Sequence, residues 1–122
     1  MPKAVPTETP YANGSHWMWF IFPQIEGLSS SAMSRRFSIS SLEEADAYLN
    51  HSVLGPRLIQ CTELVINTSG RTLKQILGPT DSMKFRSCMT LFAPATTSNE
   101  VFEDALQKYF GGQYDQLTLD RL

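Results

Sequence analysis

Asp81-Ser82-Met83-Lys84-Phe85-Arg86-Ser87-Cys88-Met89-Thr90-Leu91-Phe92 is the stretch whose reading decides the fold. Phe85, Cys88, Met89 and Phe92 recur at spacings of three and four, which puts them on one face of a helix, while Lys84 and Arg86 point elsewhere. Gly78-Pro79 closes a brief helix over residues 72–77 on its upstream side, so Thr80 or Asp81 is the expected cap of the longer one. Ala93-Pro94 ends it.

The same grammar extends outward in both directions. Downstream, Thr97-Ser98-Asn99-Glu100 has the form of a capping box, and it leads Val101, Phe102, Ala105, Leu106 and Tyr109 inward until Gly111-Gly112 breaks the pattern. A last helical turn through Leu117 and Leu119 is expected. Upstream, Ser41-Leu42-Glu43-Glu44 is a second box, opening a helix with Leu42, Ala45, Tyr48 and Leu49 on one face that ends near Asn50. A further helix starts around Ser52, tolerates Pro56 in its first turn, buries Leu58, Cys61, Leu64 and Val65, and stops before Ser69-Gly70. Ser29-Ser30-Ser31 predicts the cap of a short helix through Met33 and Phe37. Alternation with period two never persists, so the predicted class is all-α, mainly helical, with about five to six short helices and a small sheet left open.

Trp17 to Phe22 is continuously apolar, which fits either a buried strand or one buried helical turn, and Pro23 ends it in both cases. Residues 1–14 hold three prolines and read as an extended, poorly ordered lead; residues 15–122 form the single domain.

Composition narrows the function classes. The chain has 122 residues, 42% of them hydrophobic and 18% charged, which is a folding composition rather than a disordered one. Ten Lys and Arg against twelve Asp and Glu give a net charge of −2, too little positive charge for sequence-independent binding to nucleic acid. The apolar run at Trp17–Phe22 is far short of the ~20 residues that cross a bilayer, so no membrane association is expected. Cys61 and Cys88 fall outside any Cys-x-x-Cys pattern and read as buried reduced thiols, in keeping with a cytoplasmic compartment.

No glycine-rich phosphate loop, nucleophile elbow or His-Glu-x-x-His pattern is present, and the two histidines, His16 and His51, lack metal-ligand spacing; no metal or cofactor is expected. Two clusters carry the remaining chemistry. His16 stands beside Trp17, Trp19, Phe20 and Phe22, a setting for a proton-transfer group, and the two indoles form a stacking wall for a planar ligand, with Gln24 closing the run. Lys84, Arg86, Ser87 and Thr90 form the other, with Lys84 and Ser87 on one side of the helix, suited to holding an anion. His51 reads as a capping or surface residue at a helix junction. Arg35, Arg36 and Arg57 read as surface cations, although Arg57 near a helix N-terminus is electrostatically out of place without a partner.

Four segments together, Ser15-His16-Trp17-Met18-Trp19-Phe20-Ile21-Phe22-Pro23-Gln24, Tyr48-Leu49-x-His51-x-Val53-Leu54-Gly55-Pro56-Arg57-Leu58, Lys84-Phe85-Arg86-Ser87-x-Met89-Thr90-Leu91-Phe92 and Tyr109-Phe110-Gly111-Gly112, resemble the family catalogued as domain of unknown function 1810. The resemblance covers about residues 15–122 and implies a mainly helical single domain without an established activity. Some members carry a calpastatin label, which adds nothing here because that inhibitor is expected to be a disordered repeat chain. Relatives usually place an amphipathic helix before the Ser-His-Trp motif; residues 1–14 carry no such pattern, which leaves three explanations open: a shortened gene model, a partner or second copy covering the aromatic patch, or a site opened to a new substrate.

The leading expectation is a small-molecule-binding domain, with or without turnover, for an anionic or nucleotide-like ligand. His16 and Lys84 are its candidate catalytic pair, and Trp17, Trp19, Gln24, Arg86 and Ser87 its binding residues. The alternatives are a non-catalytic interaction module or homodimer, and an isomerase or cyclase that folds its substrate in an apolar aromatic cavity.

Overall fold

The computed structural model describes residues 18–28 and 38–122, with only the backbone of Trp19 and Phe20. The helices are α1 (Met18–Ile21), α2 (Leu42–Asn50), α3 (Leu54–Asn67), α4 (Leu73–Leu77), α5 (Pro79–Phe92), α6 (Glu100–Phe110) and α7 (Gln116–Leu119). Extended pairing among the described residues amounts to one parallel bridge between Ile25 and Ile39, held by Ile39 N–H to the Gln24 carbonyl and Glu26 N–H to the Ile39 carbonyl, both 2.8 Å. The lead over residues 1–14 and the short helix expected through Met33 and Phe37 lie outside the described residues.

α5 is the axis of the domain, packing against α1, α2, α4, α6 and α7. Every residue from Ser87 to Ala93 is buried, so this helix shows water only part of its first two turns. Burying a helix all round requires its polar side chains to be satisfied. Thr90 Oγ1 donates to the Arg86 carbonyl at 2.8 Å, and Ser82 Oγ donates to that of Pro79 at 2.9 Å. Aromatic rings join the neighbours to this axis: Phe22 meets Phe85 edge-on at 5.1 Å, Tyr48 lies 5.4 Å from Phe92, and Phe92 lies 5.9 Å from Phe102.

Several helix ends depart from expectation. α5 starts at Pro79 rather than at a Thr80 or Asp81 cap, because proline at the first helical position loses no useful donor and has its φ preset. Gly78, at φ +96°, serves as the C-terminal cap of one helix and the N-terminal cap of the next. The Thr97–Glu100 box does not form: Asn99 is the cap residue, and its side-chain amide donates instead to the Ala93 carbonyl at 3.0 Å. The Ser41 box forms by half. Ser41 Oγ accepts from Glu44 N–H at 3.1 Å, but the Glu44 carboxylate accepts from Ser40 N–H and Ser40 Oγ, one residue earlier. In α3 the buried stripe is Leu58, Thr62 and Val65; Leu64 is 70% exposed and Cys61 half-buried. Thr62 takes the inner position because its hydroxyl donates to the Leu58 carbonyl at 2.8 Å and so brings no unmet donor inside.

The α2–α3 junction is built on two residues of one motif. His51 Nδ1 accepts from the amides of Val53 and Leu54 at 3.1 and 3.2 Å, which satisfies two backbone donors at the entry to α3. Gly55 is buried so close to α2 that a Cβ there would lie 2.0 Å from the Leu49 carbonyl oxygen. At the far end of α3, Tyr109 donates to the Val65 carbonyl at 2.6 Å and Lys108 to that of Ile66, satisfying the last carbonyls with a hydroxyl and a cation.

Candidate functional site

α1 packs against both α3 and α5, with Phe22 seated on Phe85. This brings the aromatic motif onto the helix that carries Lys84, Arg86 and Ser87. His16 and Trp17 lie outside the described residues, as does the side chain of Trp19, so the expected pairing of His16 with Lys84 is not part of this geometry.

Among the described residues of the aromatic motif, Gln24 is the polar one that the fold takes inside. It is 4% exposed, and its backbone is pinned by the bridge to Ile39. Its side-chain Nε2 has no hydrogen-bond partner among the described residues. A buried primary amide left without an acceptor costs about 1–3 kcal/mol relative to one that is satisfied. An isolated donor of this kind invites an acceptor atom supplied from outside the chain.

The polar residues of α5 separate into two settings. Lys84 is partly exposed and pairs with Asp81 one turn earlier at 3.8 Å. Arg86 and Ser87 instead hold the C-terminal segment. Arg86 donates through Nε to the Gln113 carbonyl at 3.2 Å and through a terminal nitrogen to that of Tyr114 at 3.0 Å, with its guanidinium 5.2 Å over the Phe110 ring. Ser87 Oγ lies 3.0 Å from Asp115 Oδ2. Thr90 Oγ1 accepts from the Asp115 amide at 2.9 Å. Lys84 and Ser87 share a side of the helix as the spacing requires, yet each has its own carboxylate.

Arg57, read from the sequence as a surface cation, is half-buried, and its Nε is shielded from solvent. Burial pushes the Tyr48 phenol up from its usual 10.0, and the nearby Arg57 guanidinium opposes that shift. The thiols near this pair are also pushed up by burial, Cys88 well above 9.0 and the half-buried Cys61 by less, with Arg57 pulling Cys61 the other way. All three groups therefore stay neutral near pH 7, and Arg57 carries the charge. The signal in the sequence was the one noted above: a cation in the first turn of a helix, where the dipole disfavours it.

A separate cleft of about 480 Å³ lies between the 25–28 turn and the C-terminal turn, with Ile25, Leu28 and Leu117 on its walls. Arg121 rests on Gly27, whose φ of +94° and missing Cβ leave room for the guanidinium. Among the described residues no group of three or more His, Cys, Asp or Glu is placed to hold a metal ion, and no helix is long and apolar enough to cross a membrane.

A family model described as protein of unknown function (DUF1810) matches residues 9–122. The chain is also similar to a solved structure, the conserved hypothetical protein Rv1873 from Mycobacterium tuberculosis. The two share 54% sequence identity and superpose with a TM-score of 0.86, over 88% of this chain and 76% of that one. No curated protein matches the chain.

Proposed function

The chain belongs to the DUF1810 family, and on that premise we propose that it is a small-molecule-binding domain whose ligand is oriented by the buried amide of Gln24. The observation that carries this reading is the unmet Gln24 Nε2 donor, 4% exposed and rigidly backed by the Ile25–Ile39 bridge. Trp17 and Trp19 supply stacking faces for a planar ligand, and His16 the acid or base if the bound molecule is turned over. Arg86 and Ser87 serve the site from behind by fixing α5 to the C-terminal segment. We also place the protein in a reducing, cytoplasmic setting, which suits two free thiols.

Titration with adenosine, followed by calorimetry and tryptophan fluorescence, tests this. Wild-type protein is expected to bind saturably, and Gln24→Leu to lose about tenfold or more in affinity, the worth of one buried hydrogen bond. The free variant is expected to be no less stable than wild type, since the substitution removes an unmet polar group. Absence of saturable binding, or equal affinity in the two proteins, counts against the reading.

A further inference from the structure

Residues 113–122 carry Tyr114, Leu117, Leu119 and Leu122, and all four are more than a third exposed. The one buried residue of the segment is Thr118. A segment that buries no apolar side chain gains little from the hydrophobic effect, the main term that holds an element in a fold. Polar contacts hold it instead. Arg86 donates to the Gln113 and Tyr114 carbonyls, Ser87 Oγ meets Asp115 Oδ2, the Asp115 amide donates to Thr90 Oγ1, and Tyr114 donates to Glu103 Oε2 at 2.7 Å.

The helix on which the segment rests does not depend on it. Ser87 Oγ also lies 3.2 Å from the Met83 carbonyl, Thr90 Oγ1 donates to the Arg86 carbonyl, and the Arg86 guanidinium lies over Phe110. α5 therefore keeps partners for these side chains when the segment leaves. Gly111 and Gly112 join α6 to the segment at φ +63° and +82°, two consecutive left-handed positions that glycine takes at no steric cost. α7 has four residues, too few for a helix that stands alone, so its amides are protected only while it is docked.

We infer that residues 113–122 are a strap that undocks from α5 as one unit, swinging at Gly111-Gly112 while the rest of the domain stays folded. Leu117, Asp120 and Arg121 form one side of the cleft over the 25–28 turn, so undocking removes that side. The closed strap completes the cleft, and the open strap gives a molecule passage into or out of it.

Hydrogen exchange of the whole protein at rising sub-denaturing urea, followed residue by residue by NMR, tests the strap. The Asp115 amide reports docking on Thr90, and the Leu119 and Asp120 amides report α7 through the carbonyls of Asp115 and Gln116. These three are expected to share one opening equilibrium that urea barely changes, because undocking exposes little apolar surface. The Ala93 amide, bonded to the Met89 carbonyl within buried α5, is expected to accelerate with urea through global unfolding. Gly55→Ala, at the α2–α3 junction, is expected to speed exchange at Ala93 by about tenfold or more and to leave the strap amides within about twofold of wild type. Val65→Ala takes its place if Gly55→Ala does not fold. Asp115→Ala is expected to speed exchange at Leu119 by about thirtyfold or more, the worth of the bonds it removes. Strap amides that follow Ala93 in urea and in Gly55→Ala overturn the inference, since the segment then opens only with the whole domain. Protection that falls away stepwise from Asp115 to Asp120 overturns it as well, being the signature of an ordinary fraying end. Exchange at the unprotected rate in all three has the same force, because the strap is then not docked.

Discussion

Ser87 Oγ lies 3.0 Å from Asp115 Oδ2 and joins the middle of the central helix to the last turn of the chain. The same carboxylate oxygen accepts from Thr118 N–H at 3.1 Å and Thr118 Oγ1 at 2.6 Å, so one atom caps α7 and ties it to α5. Around it the leucines of the turn face outward: Leu117 is 66% exposed, whereas Thr118 is fully buried. The C-terminal turn is thus docked by polar bonds rather than by an apolar face.

Removal of that carboxylate is therefore expected to cost more than the exposed position of α7 suggests. Asp115→Ala leaves the hydroxyl and the amide of Thr118 without their acceptor and Ser87 Oγ with only the Met83 carbonyl at 3.2 Å, a loss of about 2–3 kcal/mol. Ser87→Ala is expected to cost about 1 kcal/mol, since Asp115 keeps its bonds to Thr118. Urea denaturation of both single variants and the double variant measures the coupling, expected at about 1 kcal/mol. Strict additivity would show that the Ser87–Asp115 contact contributes nothing.

Gly55 gives a prediction whose sign opposes helix propensity. Alanine is the better helix former by about 1 kcal/mol, so an exposed site would gain from Gly→Ala. At Gly55 the new methyl meets the Leu49 carbonyl oxygen at 2.0 Å, and the α2–α3 junction has to open. A net loss of about 2–3 kcal/mol is expected, the range of overpacked sites. Gly111→Ala is the control: φ is +63° and nothing lies within 4 Å, so only the left-handed backbone penalty of about 1 kcal/mol applies. Thermal melts that rank Gly111→Ala as the more damaging change would refute the close approach.

Helix type and order were legible in the sequence because each apolar stripe is long enough to fix a period, as Phe85, Cys88, Met89 and Phe92 do in α5. The details that failed were those decided by contacts between elements. Nothing local distinguishes Leu64 from Thr62; the threonine goes inside because its hydroxyl bonds to its own helix and the neighbouring helices lie on that side. Asn99 abandons its cap because the Ala93 carbonyl, six residues back, is within reach. The candidate site was legible in part. Gln24 was marked by the motif, but its burial and unmet amide depend on the bridge to Ile39, fifteen positions away and invisible to periodicity. Arg86 and Ser87 stood out as polar residues on an apolar helix, and their partners in residues 113–115 lie beyond any local pattern. Arg57 was flagged by its conflict with the helix dipole, and only the fold shows that it is half-buried near Tyr48.

The buried thiol of Cys88 sets an alkaline limit on stability. Burial holds it well above the usual 9.0. Once the pH passes that value, the unfolded chain releases the thiol proton while the folded chain keeps it, so the folded state binds more protons and stability falls as pH rises. One such group contributes a slope of up to about 1.4 kcal/mol per pH unit, continuing until the pH reaches the folded-state value. The Tyr48 phenol, raised from 10.0, adds to the slope at still higher pH. Urea midpoints are accordingly expected to be insensitive to Cys88 between pH 7 and pH 8 and to drop steeply beyond about pH 9. Cys88→Ala lowers stability at neutral pH by about 1–2 kcal/mol through the cavity it leaves, but it removes this titration, so its alkaline decline is shallower than that of wild type. Parallel declines in the two proteins would mean that another group drives the loss; convergence of the curves above pH 9 identifies the buried thiol as its source.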